Sequence, residues 1–178
     1  MQDVATPQDH LAAAASASVA IADASPAPRA TFDIVCRGPD GRVRWTERLR
    51  NVVMTAGKTD IIDKYLKGAA YTAAWYLLLA GSGTKAVGDT LASHAGWSEV
   101  TAYSGSRPAI TWGTTSAGSN TASAVTFTMN GAYTVAGAGC CTVASGTSGT
   151  LYNAGDFATP RSGGSGDTIN VTVTLSMT

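Results

Sequence analysis

The sequence predicts an all-β fold, namely an antiparallel β-sandwich or jelly roll with one short helix and an extended N-terminal arm. Only 13% of the 178 residues are charged, and 20 are glycine. This composition favours short strands and turns over salt-bridged helices. Short apolar stretches are separated by Gly-, Ser- and Thr-rich turns along most of the chain. The last stretch, residues 168–177, alternates strictly between apolar and small polar residues, which is typical of a strand with one solvated face.

The length suits a single domain with a tail. We expect residues 1–30 to be an Ala- and Pro-rich N-terminal arm and residues 31–178 to be the β-sandwich, jelly-roll-like domain. Ordering the arm costs backbone entropy that alanine side chains offset poorly. It is therefore either a disordered tail or an arm laid on a neighbouring subunit, and a helix near residues 8–22 is compatible with the helix propensity of alanine. Its charged side chains are Asp3, Asp9, Asp23 and Arg29.

Targeting and redox signals indicate a protein made in a reducing cytoplasm. Residues 11–24 imitate the apolar part of a secretory signal, but residues 1–10 contain two aspartates and no lysine or arginine, the reverse of a signal's positive start. The three cysteines are Cys36, Cys140 and Cys141. An odd count with two sequence neighbours is unlike a disulfide framework, so we expect them to be buried thiols.

The first predicted element of the domain is a β-hairpin. Phe32, Ile34 and Cys36 alternate with more polar residues and predict a strand with one inward face. Residues 38–41 read Gly-Pro-Asp-Gly, a turn sequence in which proline presets φ and glycine accepts positive φ. The alternation resumes at Val43, so two antiparallel strands are expected around this turn.

One helix is predicted in the domain, over residues 55–68. Thr55 or Thr59 can cap its start, and Gly68 is a natural stop. Its apolar residues at helical spacing are Ile61, Ile62, Tyr65 and Leu66. The apolar run that follows, residues 75–80, is short and closed by Gly-Ser-Gly, which favours a strand buried on both faces.

The rest of the chain predicts further short strands separated by glycine-rich loops. They are expected near residues 98–103, 108–112, 122–129, 133–136, 140–144 and 150–152. The final strand has five inward apolar positions. These are Ile169, Val171, Val173, Leu175 and Met177.

A search for nucleotide and metal sites yields no candidate. Gly57-Lys58-Thr59 heads the helix as in a phosphate-binding loop, but the motif needs a glycine five positions before Gly57, where Val52 stands. His10 and His94 lie far apart, and the cysteines have the wrong spacing for zinc. Asp156 and Asp167 stand on glycine-rich loops without the dense oxygen spacing of a calcium loop. We therefore expect no metal-binding and no cofactor-binding residues, and no cofactor.

Catalytic residues are not identifiable either. His94 is the one base candidate within the domain, yet the sequence has no G-x-S-x-G elbow, so a structural hydrogen-bonding role is favoured. Paired carboxylates for glycoside cleavage require two acids, and nothing singles out a pair. The acids available on loops are Asp89, Glu99, Asp156 and Asp167. The expected set of catalytic residues is thus empty, and we expect a protein that is not an enzyme.

Charge is balanced overall, with 12 basic and 12 acidic residues. Residues 29–67, however, contain nine basic and five acidic residues, a local excess of four positive charges. This stretch is either a solvated hairpin face or a patch that docks on an acidic surface of a partner protein. Nucleic-acid binding would require a larger excess with interleaved aromatic residues, and no apolar run is long enough to span a membrane.

Several phrases of the chain resemble a family of small tailed-bacteriophage virion proteins. They are GDTLASHAGWSE at residues 88–99, RPA at 107–109, GTLYNAGDF at 149–157 and GDTINVTVT at 166–174. The resemblance extends over about residues 31–178 and leaves the arm outside. It implies a capsid cement or decoration protein and supplies no catalytic residues.

The function implied by this resemblance is structural. We expect a virion protein that binds the outside of a bacteriophage capsid and stabilises the lattice of the major capsid protein. The alternative is a tail fibre or receptor-binding module of the phage tail. The expected partners are the major capsid protein and further copies of the chain, as a dimer or trimer, with no nucleic acid and no membrane. The expected location is the capsid surface of the virion, after synthesis in the host cytoplasm.

Overall fold

The computed structural model describes residues 28–71 and 74–177. Most of the predicted N-terminal arm, residues 1–27, lies outside the described residues. Strand β1 (Pro28–Arg37) begins three residues before residue 31, where the domain was predicted to start. Proline is tolerated there because the first residue of a strand need not donate to a ladder hydrogen bond.

Within the described residues, the fold consists of two antiparallel sheets and one short helical segment, as the composition predicted. The strands are β1 (Pro28–Arg37), β2 (Val43–Arg50), β3 (Val52–Val53), β4 (Tyr76–Ala80), β5 (Ser119–Thr121), β6 (Val125–Thr128), β7 (Tyr133–Cys141), β8 (Leu151–Gly163) and β9 (Thr168–Met177). In the first sheet the strand order is β2-β1-β9-β5, and β6 also pairs with β9. In the second sheet the order is β3-β8-β7-β4.

The predicted hairpin is confirmed. β1 pairs with β2 around a turn in which Gly41 has φ 75° and the Asp40 carboxylate accepts a hydrogen bond from the Arg42 amide. β1 also pairs along its whole length with β9, from Pro28 opposite Met177 to Arg37 opposite Thr168. The first and last strands of the domain are therefore neighbours at the centre of one sheet.

The alternation of β9 places its apolar residues inward, except at the end of the strand. Ile169, Val171 and Val173 are buried, Leu175 is partly buried and Met177 is exposed. The prediction of five inward positions is thus wrong at Met177, which lies at the sheet margin where no second layer covers it. The inner face of β9 packs with Phe32 and Phe127 into the main core between the two sheets.

A second apolar cluster lies on the other face of the second sheet. Leu77 and Leu79 of β4 point into the main core, whereas Leu78 and Ala80 join the second cluster with Trp97. The prediction that this strand is buried on both faces is confirmed. The second cluster also contains Met54, Leu91, Cys141, Leu151 and Ala154.

Some predicted strands differ in the structure. Residues 98–103 and 108–112 form isolated bridges, such as Glu99 with Ala80 and Ala109 with Tyr76, instead of strands. Residues 133–136 and 140–144 belong largely to one strand, β7, because its glycines continue the ladder with β8. Residues 150–152 contain only the start of the 13-residue β8. The three cysteines are buried free thiols, as expected.

Candidate functional site

The carboxylates considered as catalytic candidates are each engaged in a structural contact. Glu99 receives two hydrogen bonds from the Arg107 guanidinium, at 2.8 and 2.7 Å. Arg107 also donates to the carbonyl oxygens of Val143 and Gly146, so this pair ties two loops together. Burial, and then the negative charge of Glu99, raise the pKa of neighbouring Tyr103 to about 12.

Asp156 is paired with a buried lysine. The Lys85 ammonium lies 2.6 Å from Asp156 Oδ1 and donates to the carbonyl oxygens of Gly81 and Gly83. It also lies 5.5 Å from the centre of the Trp97 ring. All three ammonium hydrogens therefore have acceptors, and the lysine fixes the loop after β4 onto β8.

His94 and Asp89 both contact Trp97. The His94 ring stacks on the Trp97 ring with centroids 4.1 Å apart, and His94 Nδ1 lies 3.0 Å from the Trp97 carbonyl oxygen. Asp89 accepts a hydrogen bond from Trp97 Nε1 at 2.8 Å. These are the contacts of a structural histidine in an aromatic loop.

Asp167 is buried at one end of the main core. Its Oδ2 accepts hydrogen bonds from the Tyr133 hydroxyl at 2.9 Å, from Arg44 at 3.3 Å and from the Gly164 amide at 3.2 Å. The Cys36 thiol lies 3.3 Å from the same hydroxyl. Burial and these hydrogen bonds raise the pKa of Tyr133, so it stays neutral and joins the turn before β9 to β1. Across the described part of the chain, no three His, Cys, Asp or Glu side chains converge as a metal site requires.

The basic stretch between Arg29 and Lys67 is mostly paired. Five of its nine cations form ion pairs with carboxylates, which reduces the charge available to a partner. The pairs are Arg42–Asp40, Arg44–Asp167, Arg48–Asp33, Lys64–Asp60 and Lys67–Asp63. This pairing favours the solvated hairpin face, and the docking patch stays a prediction.

The helical segment, residues 55–66, consists of α1 (Thr55–Ile61) and a π-helical turn (Ile62–Leu66). Its N-cap is Met54, without a side-chain capping hydrogen bond, so the prediction of a threonine cap is wrong. The start is fixed instead by tertiary contacts, because the buried Met54 donates its amide to the Tyr152 carbonyl. Gly68 ends the segment at φ 71°, as predicted.

The first turn of the helical segment lies very close to β8. A Cβ at Gly57 would overlap the Tyr152 carbonyl oxygen and lie 2.9 Å from its ring. Glycine is therefore required at this position by close approach and not by a phosphate. Tyr152 is itself fixed by an edge-on contact with Trp75, with ring centroids 5.0 Å apart.

Beyond this anchor, the polar side of the helical segment carries two ion pairs at i,i+4 spacing. The Asp60–Lys64 pair, at 2.7 Å, is mostly buried and borders a shallow groove against Thr150 of the body. The Asp63–Lys67 pair, at 2.8 Å, is largely exposed to solvent. One pair therefore lies toward the body and the other lies at the surface.

The apolar side of the helical segment faces solvent. Tyr65 is 85% exposed and Leu66 is 71% exposed, and half or more of Ile62 and Tyr71 is also exposed. Tyr71 lies beside Lys64, whose ammonium is 5.4 Å from its ring, and Trp75 Nε1 donates to its hydroxyl. Ile62, Tyr65 and Leu66 share one side of the segment by their i,i+3 and i,i+4 spacing, and we call these three residues the apolar helix face. An exposed apolar patch is a candidate interaction surface.

Sequence reasoning found the helical spacing of this face but not its exposure. Spacing identifies a stripe, and the groups that cover it are not encoded in the stripe itself. Long-range contacts decide which side of the segment packs on the body, such as the close approach of Gly57 to Tyr152.

No protein-family model and no curated protein matches the sequence. No helix within the described ranges, 28–71 and 74–177, is long and apolar enough to cross a membrane.

Proposed function

We propose that this chain is a structural virion protein that binds the outside of a bacteriophage capsid and stabilises the lattice of the major capsid protein. The observation that carries the proposal is the apolar helix face, in which Tyr65 and Leu66 project into solvent from the helical segment. Tyrosine is enriched among the residues that dominate protein interfaces. The phrases that resemble tailed-phage virion proteins supply the class of partner.

A capsid lattice suits a small interface. The apolar helix face exposes less area than a stable one-to-one complex usually buries. A lattice offers many equivalent sites, and a dimer or trimer of this chain gains effective concentration from its second contact. We therefore propose a homo-oligomer at the capsid surface, with protein partners and neither nucleic acid nor membrane, and with no enzymatic role.

We also propose that the two sheets are a jelly-roll variant. In jelly rolls the long connections bring the first and last strands together in one sheet, and β1 lies beside β9 here. The hairpins β1–β2 and β7–β8 are local additions to such a pattern. An experimental density map with traced connections would test the assignment, which fails if the strands do not cross between sheets as two Greek keys.

Rebinding to capsids stripped of the protein tests the function. We expect wild-type protein to saturate at a stoichiometry set by capsid symmetry. The double variant Tyr65→Ser/Leu66→Ser should bind at least about tenfold more weakly, equivalent to roughly 1.4 kcal/mol for each site. The matched control is Val43→Ser/Val87→Ser, which removes two half-exposed apolar side chains outside the face. Sparse binding, binding confined to tails, or equal loss in both variants would contradict the proposal.

The second candidate is a tail fibre or receptor-binding module. It is favoured by the outer face of the first sheet, where the outward residues of β9 are small and polar and are linked to their neighbours, as in the contact between the Thr121 and Thr174 hydroxyls at 2.9 Å. Copy number separates the two candidates. Quantitative gels of virions should show a constant ratio to the major capsid protein for a cement protein and a ratio typical of tail components for this alternative.

A further inference from the structure

We propose that the cleft formed around Glu99 and Arg107 binds one sugar unit of a neutral carbohydrate. The proposal does not rest on the capsid as a partner, and none of the residues that line the cleft belongs to the apolar helix face. Three features support it: the size of the cleft, the rigidity of its floor, and the hydrogen-bonding groups that it offers to a ligand.

The cleft lies between two loops of the domain. One loop is residues 99–107, and the other, residues 144–146, follows the end of β7. The cleft has a volume of about 230 Å³. Sites for drug-sized ligands begin at about 300 Å³, so this cleft suits one small unit of a larger molecule. Its rim is exposed at Thr101, Ser106 and Ser145, which lets an attached chain continue into solvent.

The floor of the cleft is a largely buried ion pair that both loops hold in place. The side chains of Arg107 and Glu99 are 8% and 17% exposed, and two hydrogen bonds join them. Arg107 Nη1 donates to the carbonyl oxygens of Val143 and Gly146, and the Arg107 amide donates to the Ala144 carbonyl. The floor is therefore formed before a ligand arrives, so little side-chain freedom is lost on binding.

The charges of the floor cancel. Glu99 and Arg107 neutralise each other, and the other residues that line the cleft are uncharged. An ionic ligand would have to separate this pair and leave one of its members unpaired, which is strongly unfavourable for a buried charge. The cleft therefore suits a neutral ligand.

The floor keeps hydrogen-bonding capacity for such a ligand. A guanidinium has five N–H donors, and the side-chain contacts of Arg107 use four of them, which leaves one Nη2 hydrogen. Each Glu99 oxygen accepts one of these bonds and can accept a second. Donors and acceptors side by side match hydroxyl groups, which do both. Further hydroxyl groups come from Thr101, Tyr103, Ser106 and Ser145. A sugar ring, with several neighbouring hydroxyls, matches this mixed set.

The affinity for a single sugar should be low. A ligand of this size in a small polar cleft has few atoms to contribute, so we expect a Kd on the order of 1 mM. Linked copies of the chain would bind a repeating carbohydrate more tightly, because each first contact raises the effective concentration for the next.

An NMR titration of the free, full-length protein with single sugars tests the proposal. The probes are glucose, galactose, mannose, N-acetylglucosamine and rhamnose, each added to about 20 mM, well above the expected Kd. We expect at least one of them to shift the amide signals of residues 99–107 and 144–146 in a saturable manner.

Two double variants locate the bound sugar. Ser106→Ala/Ser145→Ala removes two exposed hydroxyls of the rim and leaves the floor intact. It should raise the Kd at least about fivefold, because two hydrogen bonds to the ligand are lost. The matched control is Ser82→Ala/Ser165→Ala, which removes two exposed loop hydroxyls outside the cleft and should bind as wild type does.

Three results would overturn the proposal. The first is that none of the five sugars shifts these amide signals. The second is that the rim variant binds as tightly as wild type, or that the control loses as much affinity, since the sugar would then lie elsewhere. The third is that sodium phosphate shifts these signals more strongly than every sugar, which would make the cleft an anion site. None of these results bears on capsid rebinding, because no capsid is present in the measurement.

Discussion

At the scale of single residues, the few buried charges of this chain act as pins between loops and strands. The Lys85 ammonium is bound by Asp156 and two carbonyl oxygens. Arg107 donates hydrogen bonds from Nε and Nη2 to the two carboxylate oxygens of Glu99. Buried ions are tolerated only when they are paired and hydrogen-bonded. The four carboxylates considered for catalysis each bind a partner side chain, and these contacts hold loops and strands together.

Buried tyrosines make stability sensitive to alkali. Burial raises the pKa of Tyr103 and of Tyr152 to about 12. Unfolded tyrosine loses its proton near pH 10, so above that pH the unfolded state binds fewer protons than the native state. The stabilising contribution is thus complete below pH 10 and is lost between pH 10 and 12, amounting to roughly 2 to 3 kcal/mol for each tyrosine.

Urea unfolding at a series of pH values from 8 to 12 measures this loss. The free energy of unfolding should fall over that upper interval, and Tyr103→Phe/Tyr152→Phe should show a shallower fall. Tyr65→Phe is the control, because Tyr65 is 85% exposed. A wild-type curve that stays flat to pH 12 would contradict the assignment of these two side chains to the interior. Burial also raises the pKa of Cys36, of Cys140 and of Cys141, so a further decline begins near pH 9.

At the scale of elements, the sequence was most informative where a local rule decides the structure. The turn sequence Gly-Pro-Asp-Gly predicted the hairpin, and the alternation of apolar and polar residues predicted β9. Gly68 predicted the end of the helix. The bridges at Glu99 and Ala109 were taken for strands because their partners lie on other segments. The candidate site was predicted only as a helix with an apolar stripe, since the exposure of that stripe depends on how the helix packs against β8.

The close approach of α1 to β8 yields a prediction at Gly57. In an isolated helix, Gly→Ala stabilises by about 1 kcal/mol. Here the new methyl group would overlap the Tyr152 backbone, and overpacking costs roughly 1 to 3 kcal/mol. We therefore expect Gly57→Ala to lower the free energy of unfolding, measured by urea denaturation. Gly88→Ala is the control because its Cβ would meet nothing within 4 Å. A stabilising Gly57→Ala would show that the helix does not dock on β8 in this way.

At the scale of the whole molecule, the two outer faces differ in character. The outer face of the first sheet presents small polar residues of β9. The outer face of the second sheet is covered by the second cluster, on which the helical segment rests with its apolar side outward. Because the two faces differ, we expect the molecule to bind a partner in one orientation. The side with the helical segment should contact the partner, and the threonine-rich side should face solvent.

The charge balance of the molecule yields the last prediction, on salt dependence. The chain has equal numbers of basic and acidic residues, and four of the five charged residues between positions 55 and 67 are paired with one another. Attachment through the apolar helix face therefore depends little on long-range attraction. Between about 0.05 M and about 0.5 M NaCl, where screening of exposed charges increases strongly, the capsid affinity should change by less than roughly threefold. Titration of stripped capsids at each salt concentration measures it. The variant Lys58→Glu/Lys67→Glu tests the same point by charge reversal and should bind within the same range. A decline of tenfold or more with salt, or on charge reversal, would mean that the basic residues and not Tyr65 and Leu66 hold the protein on its partner.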